Sequence, residues 1–241
     1  MLSGLVKSRP LTSICWPPHP PHQPTQGASE LQESHRRVQW VYGSTSDKEL
    51  EERYDQWAAD YDQDLAADFE WNAPQNASAV FARHVDKSAK MLDAGAGTGL
   101  AAECLAQEGY TDMVAMDLSI GMLDQAKGKN LYNAFHQMSL GGPLDFPTAE
   151  FDAVISVGVF TQGHAPAESF DELIRITKPG GMIVYSLRVD TYESGGFKEY
   201  QSNLELAGKW ELAEVTEQFQ PLPKGEPEVW HQIWAFRVRS N

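Results

Sequence analysis

The sequence predicts an α/β fold, a doubly wound and mostly parallel sheet with helices on both faces. Strand-like and helix-like patterns alternate from residue 89 onward, as parallel strands with crossover helices require. The run Ala153 to Val159 is apolar and largely β-branched apart from Ser156 and Gly158, the pattern of a strand covered on both sides. A glycine-rich loop joins the first strand to the next helix, where such sheets commonly bind a ligand.

The elements follow in order. Ser46-Asp47-Lys48-Glu49 opens a helix with early acids. Tyr54, Trp57, Ala58, Tyr61 and Leu65 recur at three and four residues along one helical face. Ala73-Pro74 interrupts that pattern, and a second helix is predicted over 77–84. Strands are predicted at 89–94, 113–116, 135–138, 153–159 and 182–187. Helices are predicted at 99–107, through Met122 and Ala126, at 168–176 and at 197–206. Lys178-Pro179-Gly180-Gly181 stops the third of these and turns the chain. Residues 210–219 and 229–238 alternate apolar with polar and predict a closing hairpin.

This gives three parts: a tail over 1–40, a helical cap over 41–88 above the cofactor site, and a core over 89–241. Trp16-Pro17-Pro18-His19-Pro20-Pro21-His22 suits neither a helix interior nor a central strand, because proline fixes φ and lacks a donor. Residues 1–40 are therefore expected to be a disordered Pro/His-rich tail. No acid precedes Glu30, so both a mitochondrial targeting segment and an untargeted tail of a cytoplasmic protein fit.

The formal net charge is −15, a field that repels phosphate backbones and argues against a nucleic-acid partner. No apolar run reaches the roughly 20 residues of a membrane span. Cys15 and Cys104 are far apart and suggest free thiols in a reducing compartment. No His/Cys grouping has metal-ligand spacing, so no metal is expected; a monomer or weak dimer is.

The chemistry centres on Asp93-Ala94-Gly95-Ala96-Gly97-Thr98-Gly99. Glycine lets the backbone turn and approach a ligand without a Cβ in the way, and the helix beyond offers free amides to an anion. A dinucleotide fingerprint requires glycine three residues after Gly97, and Leu100 stands there. Asp93, two residues before the first glycine, can meet an ammonium directly or through water. Asp117, ending the second strand, can accept from both ribose hydroxyls, and Met122 one turn on can lie against a base. As a helix N-cap, Asp117 has a rival in Ser119. S-adenosyl-L-methionine carries an ammonium, a carboxylate, a ribose and an adenine but no pyrophosphate, and fits this pattern.

With Phe151-Asp152-Ala153-Val154-Ile155 and Lys178-Pro179-Gly180-Gly181, these motifs resemble class I S-adenosylmethionine-dependent methyltransferases over roughly residues 47–240. A closer likeness is to the Williams–Beuren-syndrome-region methyltransferase-like proteins. It rests on Tyr54-Asp55-Gln56-Trp57-Ala58-Ala59-Asp60-Tyr61, on Val157-Gly158-Val159-Phe160 with Gly163, and on Thr177-Lys178-Pro179-Gly180-Gly181. The resemblance implies a Rossmann-like seven-stranded sheet with an antiparallel last strand. It implies a donor held by Asp93, Ala94, Gly95, Gly97, Thr98, Gly99, Asp117, Leu118, Met122, Ser139, Leu140 and Val157. Tyr54, Trp57 and Tyr61 would close over it, and the same stripe also fits plain packing on the sheet. Many class I enzymes place an acid after the third strand for the adenine amine; here Gln137-Met138-Ser139-Leu140 has none, leaving Ser139 or a carbonyl.

The expected activity is in-line methyl transfer to a small molecule, with His164 after the fourth strand as candidate base. A surface-loop histidine fits that position nearly as well. A protein acceptor, or a non-catalytic donor-binding scaffold, are the alternatives. Arg188, Glu228, Trp230 and His231 are further candidates for the acceptor rim.

Overall fold

The computed structural model describes residues 26–161 and 164–240. The proline-histidine run of the tail and Gly163 lie outside the described residues. Seven strands form one sheet: β1 (Met91–Ala94), β2 (Met113–Asp117), β3 (Ala134–Gln137), β4 (Phe151–Phe160), β5 (Thr177–Arg188), β6 (Trp210–Val215) and β7 (His231–Val238), in the order β3-β2-β1-β4-β5-β7-β6. Strands β1 to β5 pair in parallel, and β7 runs antiparallel to both β5 and β6. The order reverses between β1 and β4, which opens a crevice at their carboxyl ends.

Alternate residues of the strands feed two cores. Met91, Ala153, Ile155, Met182 and Val184 face one side, where α3 (Ala73–His84), α4 (Leu100–Gln107) and α5 (Ile120–Lys129) pack. Leu92, Val154, Ile183 and Tyr185 face the other, covered by α6 (Ser169–Ile176) and α8 (Phe197–Leu206). Burial on both faces accounts for the continuous apolar runs. A short helix α7 (Val189–Ser194), absent from the sequence reading, follows β5.

Above the crevice sit α1 (Gln26–Tyr42), α2 (Asp47–Trp57) and a π-helix, Gln63–Asp68. Helix α1 corrects the expectation of a structureless 1–40 for residues 26–40. Its apolar signal is thin, and tertiary contacts hold it. Val38 and Val41 are buried in the cap's own core with Leu50, Trp57 and Phe69. Ser34 donates to Asp64 (2.9 Å) and Asp68 (2.8 Å), and Arg37 donates to Asp64 (2.9 Å).

The aromatic stripe does not ride on one continuous helix. Helix α2 ends at Trp57, and the chain turns through Asp60 N–H to Trp57 C=O (3.0 Å) before the π-helix. Helix α3 begins four residues earlier than expected, because Pro74 stands in its first turn, where the missing N–H costs nothing.

Candidate active site

The glycine loop leaves β1 with φ of 82°, 55° and 90° at Gly95, Gly97 and Gly99, a conformation open to glycine and strained for other residues. A Cβ on Gly95 would lie 2.2 Å from Val159 Cγ2, whereas one on Gly97 would meet nothing within 4 Å. Gly97 is thus bare toward open space, and Gly95 is pressed against β4.

Asp117 shapes this loop. Its Oδ2 accepts from Gly97 N–H (2.8 Å) and its Oδ1 from Ser119 N–H (2.9 Å). Burial pushes its carboxyl upward, and the amides of Ser119, Gly97 and Leu118 oppose that. Ser119, not Asp117, caps α5, accepting from Met122 N–H at 3.0 Å. Asp117 keeps lone pairs toward the cleft, since each carboxylate oxygen accepts more than one bond.

Asp93 is 1% exposed. Its Oδ2 accepts from Tyr132 O–H at 2.6 Å, and its Oδ1 has no partner. Burial lifts the carboxyl to about 7, with Tyr132 pulling it down and Asp117 adding to the rise. An unpartnered buried carboxylate oxygen is costly unless something pairs with it, and an ammonium suits it.

The cleft holds about 770 Å³ of empty space, its mouth included. The sheet side supplies Gly95, Gly97, Asp117, Leu118, Met122 and Val157. Ser139, Leu140, Met138 and Pro166 form one wall, Asp47, Leu50, Tyr54 and Tyr61 of the cap form the roof, and His164 of the loop after β4 lines the cleft as well. Asp93 and Thr98 line a small recess beside Gly97. Thr98 donates to Asp62 of the cap.

Ala94, Gly99 and Trp57 line neither space. Ala94 is wholly buried, and Gly99 precedes α4 as its N-cap. Trp57 corrects the expectation that all three aromatics face the donor. It is buried in the cap, stacked at 6.2 Å on Tyr54, and its Nε1–H donates to Asp64 at 2.7 Å.

Sequence reasoning missed Asp47 and Asp55. Asp47, first residue of α2, accepts from Ser139 Oγ–H at 2.8 Å on the cleft wall. An acid therefore stands beside the end of β3 after all, brought there by the cap. Asp55 Oδ1 accepts from Ser119 Oγ–H (2.6 Å) and Gly121 N–H (2.8 Å), pinning α2 to the positive end of α5. Only the docking of α2 over the sheet reveals either, against the loop after β3 for Asp47 and against α5 for Asp55; spacing along the chain carries no trace of it.

His164 sits at the end of the cleft. Its Nε2 lies 2.9 Å from Tyr54 Oη and its Nδ1 3.0 Å from Thr161 Oγ1. Strand β4 bends on approach: Gly158 has φ 78°, and its N–H leaves the ladder to bond Ser186 Oγ at 2.8 Å. Beyond Gly158, Tyr54 and Tyr61, which both spaces share, lies a second chamber of about 500 Å³ with its mouth. Tyr42, Trp57, Trp71, Val41, Leu222 and His231 wall it.

A family model described as a methyltransferase domain matches residues 92–185, the stretch from β1 to β5. Fold, glycine loop and this match define an S-adenosylmethionine-dependent methyltransferase. Methyltransferase-like protein 27 of Homo sapiens is 35% identical over 188 residues, 75% of this chain and 76% of that one. The chain belongs to the methyltransferase-like protein 27 family. Demethylmenaquinone methyltransferase of Renibacterium salmoninarum is 38% identical over 96 residues, 39% of each chain. Among solved structures, the [4+2]-cyclase SpnF superposes with a TM-score of 0.65 at 15% identity, covering 82% of this chain and 98% of that one. An S-adenosylmethionine-dependent methyltransferase from Mesorhizobium loti gives 0.51 at 17%, covering 72% and 99%. At such identities these structures speak for the fold alone.

Proposed function

We propose that the methyl acceptor is a small molecule that enters the chamber behind Gly158 and meets the donor between Tyr54 and Tyr61. The observation that carries this is the roof: α1, α2 and the π-helix cover the chamber, leaving a walled space rather than a groove for a protein segment. No helix among the described residues is long and apolar enough to cross a membrane. Free Cys104 supports work in a reducing cytoplasm.

Bound S-adenosylmethionine supplies a methyl group already activated on a sulfonium, whose electron pair stays with the neutral thioether. The protein's own residues hold, align and exclude water. Asp93 Oδ1 is suited to the ammonium, Asp117 to the ribose hydroxyls, and Met122, Leu118 and Leu140 to the adenine faces. Asp47 is suited to the adenine amine, the partner that the segment after β3 lacks.

His164 is the general base. Thr161 lines the chamber and bonds His164 Nδ1, and Tyr54 lines both spaces and bonds Nε2. Either hydroxyl can pass a proton from an acceptor to the imidazole while burial holds Tyr54 itself neutral. The test is a search for new methylated metabolites in an extract treated with purified protein and isotope-labelled donor. Label in the small-molecule fraction is expected. Label confined to protein would overturn the reading.

A further inference from the structure

The chamber's lining says what it would hold. None of the described residues lining it carries a carboxylate, an ammonium or a guanidinium. Aromatic rings dominate, and several meet edge to face or stacked: Trp57 and Tyr61 at 4.8 Å, Tyr61 and Trp71 at 6.5 Å, Tyr54 and Trp57 at 6.2 Å. Val38, Val41, Leu65 and Leu222 fill the remainder. His231 enters from β7 and is 5% exposed, with its Nδ1 unpartnered. Burial beside Arg188 drives that imidazole down to about 3, so it is neutral in any ordinary solution.

We infer that this chamber is the acceptor site and takes a flat, uncharged aromatic compound bearing a hydroxyl group. The inference rests on the small-molecule reading above and deepens it. Flat rings pack against the ring faces of Trp57, Tyr61 and Trp71 with the offset or edge geometry that aromatic pairs prefer. A charged acceptor would shed its hydration here with no unpaired charge to meet it, since Arg188, behind Tyr42 and His231, is already paired with Asp190, and ring faces return less to a cation than that desolvation costs. A hydroxyl is favoured as the reacting group because His164, with Thr161 and Tyr54, stands where the two spaces meet. A base is idle unless the nucleophile has a proton to lose.

Calorimetric titration of the full-length protein with 2-naphthol, 2-naphthoate and 2-naphthylmethylammonium tests this, each with S-adenosylhomocysteine bound. 2-Naphthol is expected to bind at least tenfold more tightly than either ion. Val41→Trp and Leu222→Trp, which fill the chamber from two sides, should each lower 2-naphthol affinity at least tenfold. Donor affinity unchanged within twofold certifies that a variant is folded. Three outcomes overturn the inference: no 2-naphthol binding, either ion binding as tightly, or 2-naphthol binding unchanged in a folded variant. The ranking of probes on the unaltered protein decides the matter even if both variants fail to fold. Label confined to protein in the extract experiment would instead sink the parent reading.

Discussion

Tyr132 donates a 2.6 Å hydrogen bond to one oxygen of Asp93, and the other oxygen of that buried carboxylate has no partner. The arrangement leaves Asp93 half-satisfied until a cation arrives. Burial, the dominant cause, places its carboxyl at about 7, against about 3.9 in an unfolded chain. The folded state thus holds the proton more tightly. Asp93 therefore contributes full stability below about pH 3.9 and loses it as pH rises through about 7. Denaturant unfolding should show the unaltered protein falling relative to Asp93→Asn between pH 5.5 and 8. Donor affinity should move the other way, rising about tenfold from pH 5.5 to 7 as the carboxylate ionises. A donor affinity flat across that range would remove the ammonium assignment.

Asp117→Ala is expected to weaken S-adenosylmethionine binding by about 1–3 kcal/mol, the scale of hydrogen bonds to a charged group. The variant also strands the amides of Gly97 and Ser119, so part of the loss is loop order. Calorimetry measures the total. Asp117→Asn separates the parts, because its amide group can keep one acceptor oxygen but not two.

The sheet was legible because its strands are buried on both faces, so apolar runs such as Met182-Ile183-Val184-Tyr185 need no alternation to be recognised. The glycine loop and Asp117 were legible because one short segment carries the whole local geometry. The cap was not. Its anchor, Asp64, gathers Ser34, Arg37 and Trp57 from residues as much as 30 apart, and a polar hub of that kind leaves no periodic mark. The same holds for Asp55 on Ser119 and for Asp47 on Ser139. Trp57 and Tyr61 share a stripe in sequence, yet the turn after Trp57 sends one into the cap and the other over the donor cleft.

Trp57→Phe tests that division. The variant keeps the ring in the cap core and deletes the 2.7 Å bond to Asp64. It should cost about 1–3 kcal/mol of folding stability and leave donor affinity unchanged within twofold. A large loss of donor binding with little loss of stability would return Trp57 to the donor site.

His164→Ala should lower turnover by about 10²–10⁴ at saturating acceptor, the range of a positioned general base, with donor affinity retained. Tyr54→Phe and Thr161→Val each remove one hydroxyl from the imidazole. Whichever carries the proton should cost far more than the other. Turnover unchanged in His164→Ala would retire it as base and leave alignment alone to drive transfer.

Gly121 has a separate importance. A Cβ there would lie 2.9 Å from Asp55 Cα and 3.2 Å from its carbonyl oxygen, so α2 rests directly on the first turn of α5. Backbone cannot swing aside as a side chain can, and the added methyl forces the two helices apart. Gly121→Ala is thus expected to cost about 1–3 kcal/mol as an overpacked contact, although alanine is the better helix former. Because Asp55 then loses Gly121 N–H and Ser119 Oγ–H together, the roof lifts from the cleft. Donor affinity should fall with stability, and tryptic cleavage after Arg53 should quicken. Stability that rose, as helix propensity alone dictates, would show that α2 is free to shift and that the Asp55 clamp does not hold the roof down.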